Sequence, residues 1–466
     1  MNSTPNPSNN LPNELQVVDS SRSVESSRSQ AKLLREYAIE VVRVLTSRNY
    51  IAYFAGGCVR DEIMGETPSD YDVATNATPE QVQQIFGKQR SLMIGDAFGV
   101  VCVHQRRSGQ SLQVEVATFR SDGSYIDGRR PDSVVFTSPE LDAQRRDFTI
   151  NGVFYDPIIE KTIDFVQGQE DIASRIIRAI GDPFHRFAED RLRLLRAVRF
   201  TSRFGFSLDQ ATWQAICAMA DRIVEVSPER IATEMRKMLS FRSGRRQAVE
   251  LLHQSGLLRA ILHEAAAVLD RSDAIRLQSL SRIERLPTNN WIVALVALLW
   301  DDLQSNKIEA ASFSNTIKDR WRLSNEEELE FRFVVTAQQW LLRTDNAPWS
   351  QVQPLLLSPH IESAICLTDL LLNESESDES AVKLAIDHLR KTLSQEIAIW
   401  NPAPLIDGRL LIELKVPIGP EYAKLIRLGR VAQLDGLIHN DQDARQWLQT
   451  TLTNKLPLVP DDSDID

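Results

Sequence analysis

The chain has 466 residues, enough for two or more domains with a large buried core. Hydrophobic residues make up 42% and charged residues 25% of it, as in an ordinary globular protein, and the net charge of −11 excludes a global positive field for nucleic acid. Four cysteines without a CxxC pair argue against a disulfide framework and a zinc knuckle and favour a reducing cytosol. Because no run of about 18 apolar residues occurs, no membrane partner is expected.

The N-terminal quarter of the chain is expected to hold a mixed α/β domain built on a small sheet. Residues 1–27 are rich in Ser, Asn and Pro, which predicts a disordered leader. A helical period over Ala31–Thr46 predicts a helix that packs on the sheet, and residues 50–120 alternate short strands and short helices. The polar stretch 121–137 is either an ordinary surface loop or a mobile element over an active site.

From about residue 170 the strand signal nearly disappears, which predicts a domain boundary followed by a helical remainder. The acidic, Ser- and Asn-rich region 343–380 favours a solvated loop or a linker between helices. The acidic last residues are expected to fray. Helices are predicted at about 185–203, 208–222, 228–240, 245–255 and 288–302.

The stretch from Phe54 to Asp72 has the features of a metal-assisted phosphate site. An apolar run ends at a turn formed by Gly56 and Gly57, and a short helix follows. Asp70 and Asp72 lie on a second extended piece, where alternate residues face the same side. Two carboxylates beside a glycine turn and a helix N-terminus suit a metal ion and a phosphate group.

Glu115 is a candidate third carboxylate. It lies between Val114 and Val116 on a predicted strand, so it is either a residue of an exposed face or a third ligand aimed at the first two. Alternation leaves both interpretations open. Three carboxylates could hold two Mg²⁺ ions, one to activate an attacking hydroxyl and one to stabilise the departing pyrophosphate.

Two arginine-rich segments follow. Arg145 and Arg146 precede an apolar alternation, which indicates either a helix end or a clamp in which Arg146 binds a triphosphate. In the second segment Asp190, Arg193 and Arg196 step by three residues, which places them along one side of a predicted helix.

The second segment has two interpretations. It could be a helix with salt bridges from Glu189 and Asp190 to Arg193. Alternatively, an Asp held by an Arg presents an acceptor next to donors, and this suits the exocyclic amino group and ring nitrogen of cytosine and adenine. Guanine and uracil carry a carbonyl at that position, so the pair would reject them.

Together these motifs resemble the class II tRNA nucleotidyltransferase and bacterial poly(A) polymerase family of the polymerase-β-like superfamily. The resemblance covers residues 31–260 and includes a segment similar to the flexible loop of members that add the terminal A. It rests on Gly56-Gly57-Cys-Val-Arg60-Asp61 with Asp70-Tyr-Asp72, Arg145-Arg146-Asp147-Phe-Thr-Ile-Asn151, Glu189-Asp190-Arg-Leu-Arg193-Leu-Leu-Arg196-Ala-Val-Arg199-Phe, Ser227-Pro-Glu229-Arg230-Ile-Ala-Thr-Glu234, and the loop Asp122-Gly-Ser-Tyr-Ile-Asp-Gly-Arg-Arg-Pro131.

The resemblance implies an α+β fold, in which a polymerase-β-like nucleotidyltransferase head with a small mixed sheet and helices precedes an all-α neck, body and tail. The expected divisions are a leader at 1–27, the head at 28–157, a neck with the nucleotide-selecting helix at 158–270, the body at 271–400, a tRNA-binding tail at 401–459 and a frayed acidic end at 460–466.

The resemblance also implies a cytoplasmic enzyme that adds C, A or both to the tRNA 3′ end without a template. CTP and ATP are the expected substrates, Mg²⁺ the cofactor and pyrophosphate the released product. The implied metal ligands are Asp70, Asp72 and Glu115. The implied nucleotide contacts are Gly57, Arg60 and Arg146 at the phosphates and Asp190 and Arg193 at the base, with Arg196 and Arg199 in support.

Several alternatives remain at this point. An A-adding enzyme would keep the same motifs, and so would a poly(A) polymerase, although the acidic C-terminal residues favour tRNA over mRNA. A non-catalytic RNA-binding protein is disfavoured because all three carboxylates are present. A nucleotidyltransferase for small molecules is disfavoured by the basic residues of the predicted neck, namely Arg230, Arg236, Lys237, Arg242, Arg245 and Arg246.

Overall fold

A computed structural model describes residues 14–94, 99–122, 134–306, 310–341, 347–374 and 380–454. The chain forms two compact units, of which the first comprises Met1–Met238 and Gln247–Ala266 and the second Leu239–Arg246 and Ala267–Asp466. Across the described ranges no single helix is long and apolar enough to cross a membrane. One helix pair, bent by 115°, passes that test on length and composition alone.

The first unit begins with a long helix and a mixed sheet. Among the described residues, seven strands pair in the order β3-β4-β5-β2-β1-β8-β9, and all neighbours are antiparallel except β2 and β5. β6 and β7 form a separate antiparallel ribbon. The elements are α1 (Glu14–Thr46), β1 (Ala52–Ala55), α2 (Gly57–Ile63), β2 (Asp72–Thr75), α3 (Pro79–Phe86), β3 (Ser91–Ile94), β4 (Val100–Arg107), β5 (Gln110–Thr118), β6 (Arg120–Asp122), β7 (Val134–Phe136), α4 (Pro139–Gln144), β8 (Val153–Asp156) and β9 (Lys161–Asp164).

The head is held together by α1 packed on the sheet. Val41 and Leu45 of α1 are fully buried in one core cluster with Val73 and Val116 of the central strands. The predicted helix at Ala31–Thr46 is therefore confirmed. The helix begins at Glu14, within the stretch predicted to be a disordered leader, because adding a turn to an existing helix is far easier than nucleating one. Residues 1–13 of that leader lie outside the described residues.

The first unit continues as helices, with one parallel pair of two-residue strands. The predicted single helix at 185–203 is wrong, because it breaks at Asp190, whose backbone is extended (φ −144°, ψ 108°). The Asp190 Oδ1 accepts a hydrogen bond from the Leu192 N–H at 3.0 Å, a local bond that competes with the helix. The elements are α5 (Gly168–Ser174), β10 (Ile176–Ile177), α6 (Pro183–Glu189), α7 (Leu192–Phe204), β11 (Ser207–Leu208), α8 (Gln210–Met219), α9 (Pro228–Ser240), α10 (Arg245–Gln254), α11 (Leu257–Ile261) and α12 (His263–Asp270).

The second unit is helical throughout its described part. The predicted loop or linker at 343–380 is wrong, because α17 and α18 occupy most of it and bury Ala364 and Ile365 in an apolar core. The Leu- and Ile-rich stretch within that region outweighs its acidic ends. The helices are α13 (Asp273–Arg285), α14 (Trp291–Asn306), α15 (Ala310–Trp321), α16 (Asn325–Leu341), α17 (Trp349–Leu356), α18 (Ile361–Leu372), α19 (Ser380–Leu393), α20 (Ile397–Trp400), α21 (Gly408–Glu413), α22 (Glu421–Leu434) and α23 (Asp441–Asn454).

Candidate active site

A cavity of about 560 Å³ opens in the first unit beside the glycine turn and α7. Residues from all three predicted motifs line it, so the fold brings together segments that are far apart in sequence. Glu115 is the one predicted site residue that does not line the cavity. The predicted residues that do are Gly57, Arg60, Asp70, Asp72, Arg146, Asp190, Arg193, Arg196 and Arg199.

Of the three predicted carboxylates, Asp70 and Asp72 line the cavity, and Glu115 lies on the strand next to Asp72. β2 begins at Asp72, and Asp70 lies two residues before it, outside the strand. Asp72 is the register partner of Glu115 on the parallel strand β5. The neighbouring partners, Val73 and Val116, are buried in the core, so alternation turns Asp72 and Glu115 to the opposite face.

The negative charges of Asp70 and Glu115 repel the carboxylate of Asp72. Desolvation by the surrounding protein, together with the charges of Asp70 and Glu115, raises the pKa of Asp72 to about 6, although Arg146 opposes the rise. Within the described ranges, no group of three or more His, Cys, Asp or Glu side chains is placed so that it could hold a metal ion. The donor set nevertheless fits a hard divalent cation, which prefers carboxylate oxygens and would relieve the repulsion between them.

Gly56 lets Arg146 lie close to the carboxylates. Its backbone has φ +74° and ψ −130°, a conformation that residues with a Cβ rarely adopt. A Cβ at this position would lie 3.0 Å from the Arg146 Nη1 and 3.9 Å from the Asp72 Oδ2. Glycine is therefore needed both for the turn and for the close approach of Arg146.

Arg146 is held in place by the buried carboxylate of Asp142. Its Nε and Nη2 donate to Asp142 Oδ2 at 3.2 and 3.0 Å, and its guanidinium lies 5.2 Å from the ring centre of Phe154. Burial by itself raises the pKa of Asp142, but Arg146 and Arg145 outweigh it and hold that pKa below its usual value. Asp142 thus stays charged and fixes Arg146 in place.

Arg60 lies on α2 and is almost fully buried. Its Nη1 donates to Asn151 Oδ1 at 2.6 Å, its Nη2 donates to Asp61 at 2.6 Å, and its guanidinium lies 4.6 Å from the ring centre of Phe204. Burial lowers the pKa of Arg60, while the charge of Asp61 opposes that shift. Arg60 is therefore a fixed part of the cavity wall.

Asp190 and Arg193 both line the cavity, but they do not pair with each other. Arg230 of α9 donates to both oxygens of Asp190, at 3.1 and 2.7 Å. Arg193 instead pairs with Glu189 and donates to two backbone carbonyls. The predicted ion pair between Glu189 and Arg193 is confirmed, whereas the one between Asp190 and Arg193 is wrong, because the helix break turns Asp190 towards α9.

The supporting arginines of α7 also have buried partners. Arg196 donates to Asp147 at 2.7 Å, and Arg199 pairs with Glu234, whose side chain is 3% exposed. Both guanidinium groups lie over the ring of Phe200, at 5.2 and 4.1 Å from its centre. Asp147 and Glu234 were not predicted as site residues, although both lie within the sequence motifs.

Two known family models match parts of the chain. A model described as the Poly A polymerase head domain matches residues 52–178, and one described as the probable RNA and SrmB-binding site of polymerase A matches residues 205–269. The CCA-adding enzyme of Lactobacillus delbrueckii subsp. bulgaricus (strain ATCC BAA-365 / Lb-18) is 32% identical over 418 residues, which are 87% of this chain and 95% of that protein. The chain belongs to the CCA-adding enzyme family.

Two further proteins that resemble this chain are also CCA-adding enzymes. The CCA-adding enzyme of Geobacillus sp. (strain WCH70) is 43% identical over 222 residues, which are 47% of this chain and 53% of that enzyme, so this match spans about half of the relative's length. The crystal structure of the Bacillus stearothermophilus CCA-adding enzyme in complex with CTP has a TM-score of 0.70 at 27% identity and covers 91% of this chain and 98% of that one. The predicted resemblance and the α+β fold class are confirmed.

Within this CCA-adding enzyme fold, two of the basic residues predicted for the neck are engaged inside the protein. Arg230 holds Asp190, and Arg245 is fully buried and donates to the backbone carbonyls of Leu239 and Thr288. Neither is an exposed contact for RNA. The predicted flexible loop at 122–131 lies outside the described residues after Asp122.

Proposed function

We propose that this protein adds C and A to the 3′ end of tRNA without a template, using CTP and ATP and releasing pyrophosphate. The observation that carries the proposal is the single cavity lined by Asp70, Asp72, Arg146, Asp190 and Arg193. The names of the relatives support it, since each is a CCA-adding enzyme and one was crystallised with CTP.

CCA-adding enzymes are nucleotidyltransferases, a family that depends on divalent metal ions. We assign Mg²⁺ to this protein, with Asp70 and Asp72 as ligands and Glu115 as the third carboxylate. When bound, such an ion lowers the pKa of an attacking hydroxyl and stabilises the charge on a departing pyrophosphate. The desolvation of Asp72 and its repulsion by Asp70 and Glu115, which together raise its pKa, support the assignment.

The other cavity residues have roles in binding and orientation. Arg60 and Arg146 supply positive charge for the triphosphate. Because Gly57 has no side chain, the triphosphate can approach its backbone closely. Fixed charges of this kind need no rearrangement when the leaving group forms, so they stabilise the transition state efficiently. Arg196 and Arg199 support the base-reading pair from α7, and Asp147 and Glu234 hold them in place.

Base selection falls to Asp190 and Arg193. A carboxylate oxygen accepts the exocyclic amino group of cytosine or adenine, and a guanidinium donates to the neighbouring ring nitrogen. The bidentate contact from Arg230 keeps Asp190 oriented, which supports this role.

The helical remainder is proposed to hold the tRNA. In this proposal the nucleotide binds to the head at 28–157 and the neck at 158–270. The RNA binds to the body at 271–400 and the tail at 401–459. Exposed cations on and beside α21 and α22, such as Arg409, Lys415 and Arg427, suit contacts to phosphates. We place the protein in the cytoplasm, where its tRNA substrate is processed.

The deciding experiment is nucleotide incorporation on three tRNAs, ending before CCA, after the first C and after the second C, with each nucleotide offered singly. Addition of C to the first two and of A to the third supports the proposal. Incorporation only on the CC-ended tRNA would identify an A-adding enzyme, and long A tails on unstructured RNA would identify a poly(A) polymerase. Asp72→Ala should abolish transfer while tRNA affinity, measured by filter binding, stays near that of the unmodified protein.

A further inference from the structure

Asn151 lies where the phosphate-binding side of the cavity meets α7. Its Oδ1 accepts a hydrogen bond from Arg60 Nη1 at 2.6 Å, and its Nδ2 donates to Asp147 Oδ1 at 3.1 Å. Its backbone carbonyl accepts a hydrogen bond from Arg146 Nη1 at 3.2 Å. Asn151 lines the cavity but is only 7% exposed, so water does not readily replace its hydrogen bonds when they are lost.

The chemistry of the side chain at 151 is tightly specified. A guanidinium donor faces Oδ1 and a carboxylate acceptor faces Nδ2, so a flipped amide would put donor against donor and acceptor against acceptor. An Asp would place a second carboxylate beside Asp147, and an apolar residue would remove one hydrogen bond from Arg60 and one from Asp147, which would keep their bonds to Asp61 and Arg196. Only a carboxamide offers one acceptor and one donor on the same planar group.

Asp147 extends the connection to α7. Its Oδ2 accepts from Arg196 Nε at 2.7 Å and Nη2 at 2.6 Å, and its Oδ1 also accepts the Phe148 N–H at 2.9 Å. The residue is buried, yet the charge of Arg196 and the Asn151 amide outweigh the effect of burial and hold the pKa of Asp147 at about 2. A continuous chain of polar contacts therefore runs from Arg60 through Asn151 and Asp147 to Arg196.

The backbone at Asn151 is well defined. The residue ends the 3₁₀ turn Thr149–Asn151, and its N–H donates to the carbonyl of Phe148 at 2.9 Å. Thr149 in the same turn donates from its hydroxyl to Asp171 Oδ2 at 2.6 Å, away from the cavity lining. The turn is thus fastened on one side to the protein interior and on the other to the cavity arginines.

We propose that Asn151 is a positioning residue that couples the triphosphate-binding arginines to the base-reading side of the cavity. The inference rests on the proposed function, because it gives Arg60 and Arg146 to the phosphates and α7 to the base. A residue of this kind affects both ends of the nucleotide at once. Its loss weakens the binding of CTP and ATP and, in addition, reduces discrimination against UTP.

The test compares Asn151→Asp and Asn151→Ala with Thr149→Val, a matched control. Thr149→Val removes one buried hydrogen bond from the same turn without touching the cavity. CTP, ATP and UTP binding are measured by isothermal titration, and the kcat and KM of transfer are measured for each nucleotide. For both Asn151 variants we expect an increase in Kd for CTP and ATP of about tenfold or more, with a smaller increase for UTP. Thr149→Val should lower Tm while keeping the ratio of CTP to UTP affinity.

The nucleotide dependence of the loss separates coupling from general damage. Loss of a coupling residue lowers the affinity for CTP and ATP more than the affinity for UTP. Equal losses for CTP and UTP would overturn the coupling role. Unchanged CTP affinity in both single variants would overturn it as well. Because binding is measured without transfer, a wild-type protein that binds CTP but adds no nucleotide refutes the proposed function and not this inference.

Discussion

The substitution Gly56→Ala tests whether the glycine turn exists to admit Arg146. Two effects are expected. The positive φ with ψ −130° costs about 1–3 kcal/mol for a residue with a Cβ, so the free energy of unfolding should fall by that amount. The new methyl group would also lie 3.0 Å from Arg146 Nη1, and the guanidinium must then move away from the cavity.

The second effect is a loss of nucleotide affinity. If Arg146 binds the triphosphate as proposed, displacing its guanidinium removes charge-assisted hydrogen bonds that contribute about 1.5–3 kcal/mol each, so KM for CTP and ATP should rise about tenfold or more. Urea unfolding reports the first effect and steady-state incorporation on tRNA reports the second.

Gly65 provides the matched control. It also has a positive φ, of +76°, but a Cβ there would meet nothing within 4 Å. Gly65→Ala should therefore reduce stability while leaving KM unchanged. If it raises KM as much as Gly56→Ala does, general strain in the motif explains the loss. If Gly56→Ala changes neither stability nor KM, the argument from the turn is refuted.

Three further predictions follow from the buried arginine contacts. Arg230→Gln should lower the ratio of kcat/KM for CTP to kcat/KM for UTP, because Asp190 loses its bidentate partner. An unchanged ratio would contradict the proposed base-reading role of Asp190. Asp147→Asn should cost about 2–3 kcal/mol of unfolding free energy at pH 7, and because the folded-state pKa is depressed to about 2, the gap to the unmodified protein should close as the pH falls from about 4 to 2 in urea titrations. Arg245→Met should destabilise the protein, because each backbone carbonyl that loses its hydrogen bond costs roughly 1–3 kcal/mol of unfolding free energy, and removal of the buried charge offsets only part of that loss. Arg246→Met, at the half-exposed ion pair with Glu284, should change Tm little. Similar changes in Tm for the two variants would contradict this prediction.

The cavity residues could be predicted from the sequence because they fall in short motifs whose spacing reflects their chemistry. Asp70 and Asp72 are two residues apart, and the tight turn that precedes them is marked by glycines. The helix at 228–240 was predicted with the bounds of α9, because Pro228 and an apolar period define it locally. Such features depend on a few neighbouring residues, and a sequence pattern records them well.

The partners of the cavity arginines could not be predicted in the same way. Arg230 is 40 residues from Asp190, and Arg199 is 35 residues from Glu234, so both pairings depend on how α9 packs against α7. The break at Asp190 was missed for a related reason. The apolar positions of α7 fit one continuous helix, and periodicity does not register a carboxylate that bonds to the backbone two residues ahead.

The pairing of Asp190 with Arg230 sharpens the proposed mechanism of base choice. A carboxylate has about four acceptor positions, two on each oxygen. Oδ1 takes the Leu192 N–H and Arg230 Nη1, while Oδ2 takes Arg230 Nη2, which leaves one acceptor position, on Oδ2. That position can receive one hydrogen of an exocyclic amino group, which cytosine and adenine both provide. Under the proposed mechanism, guanine and uracil would bring a carbonyl oxygen to the same lone pair, and they would be rejected by electrostatic repulsion and an unmade hydrogen bond.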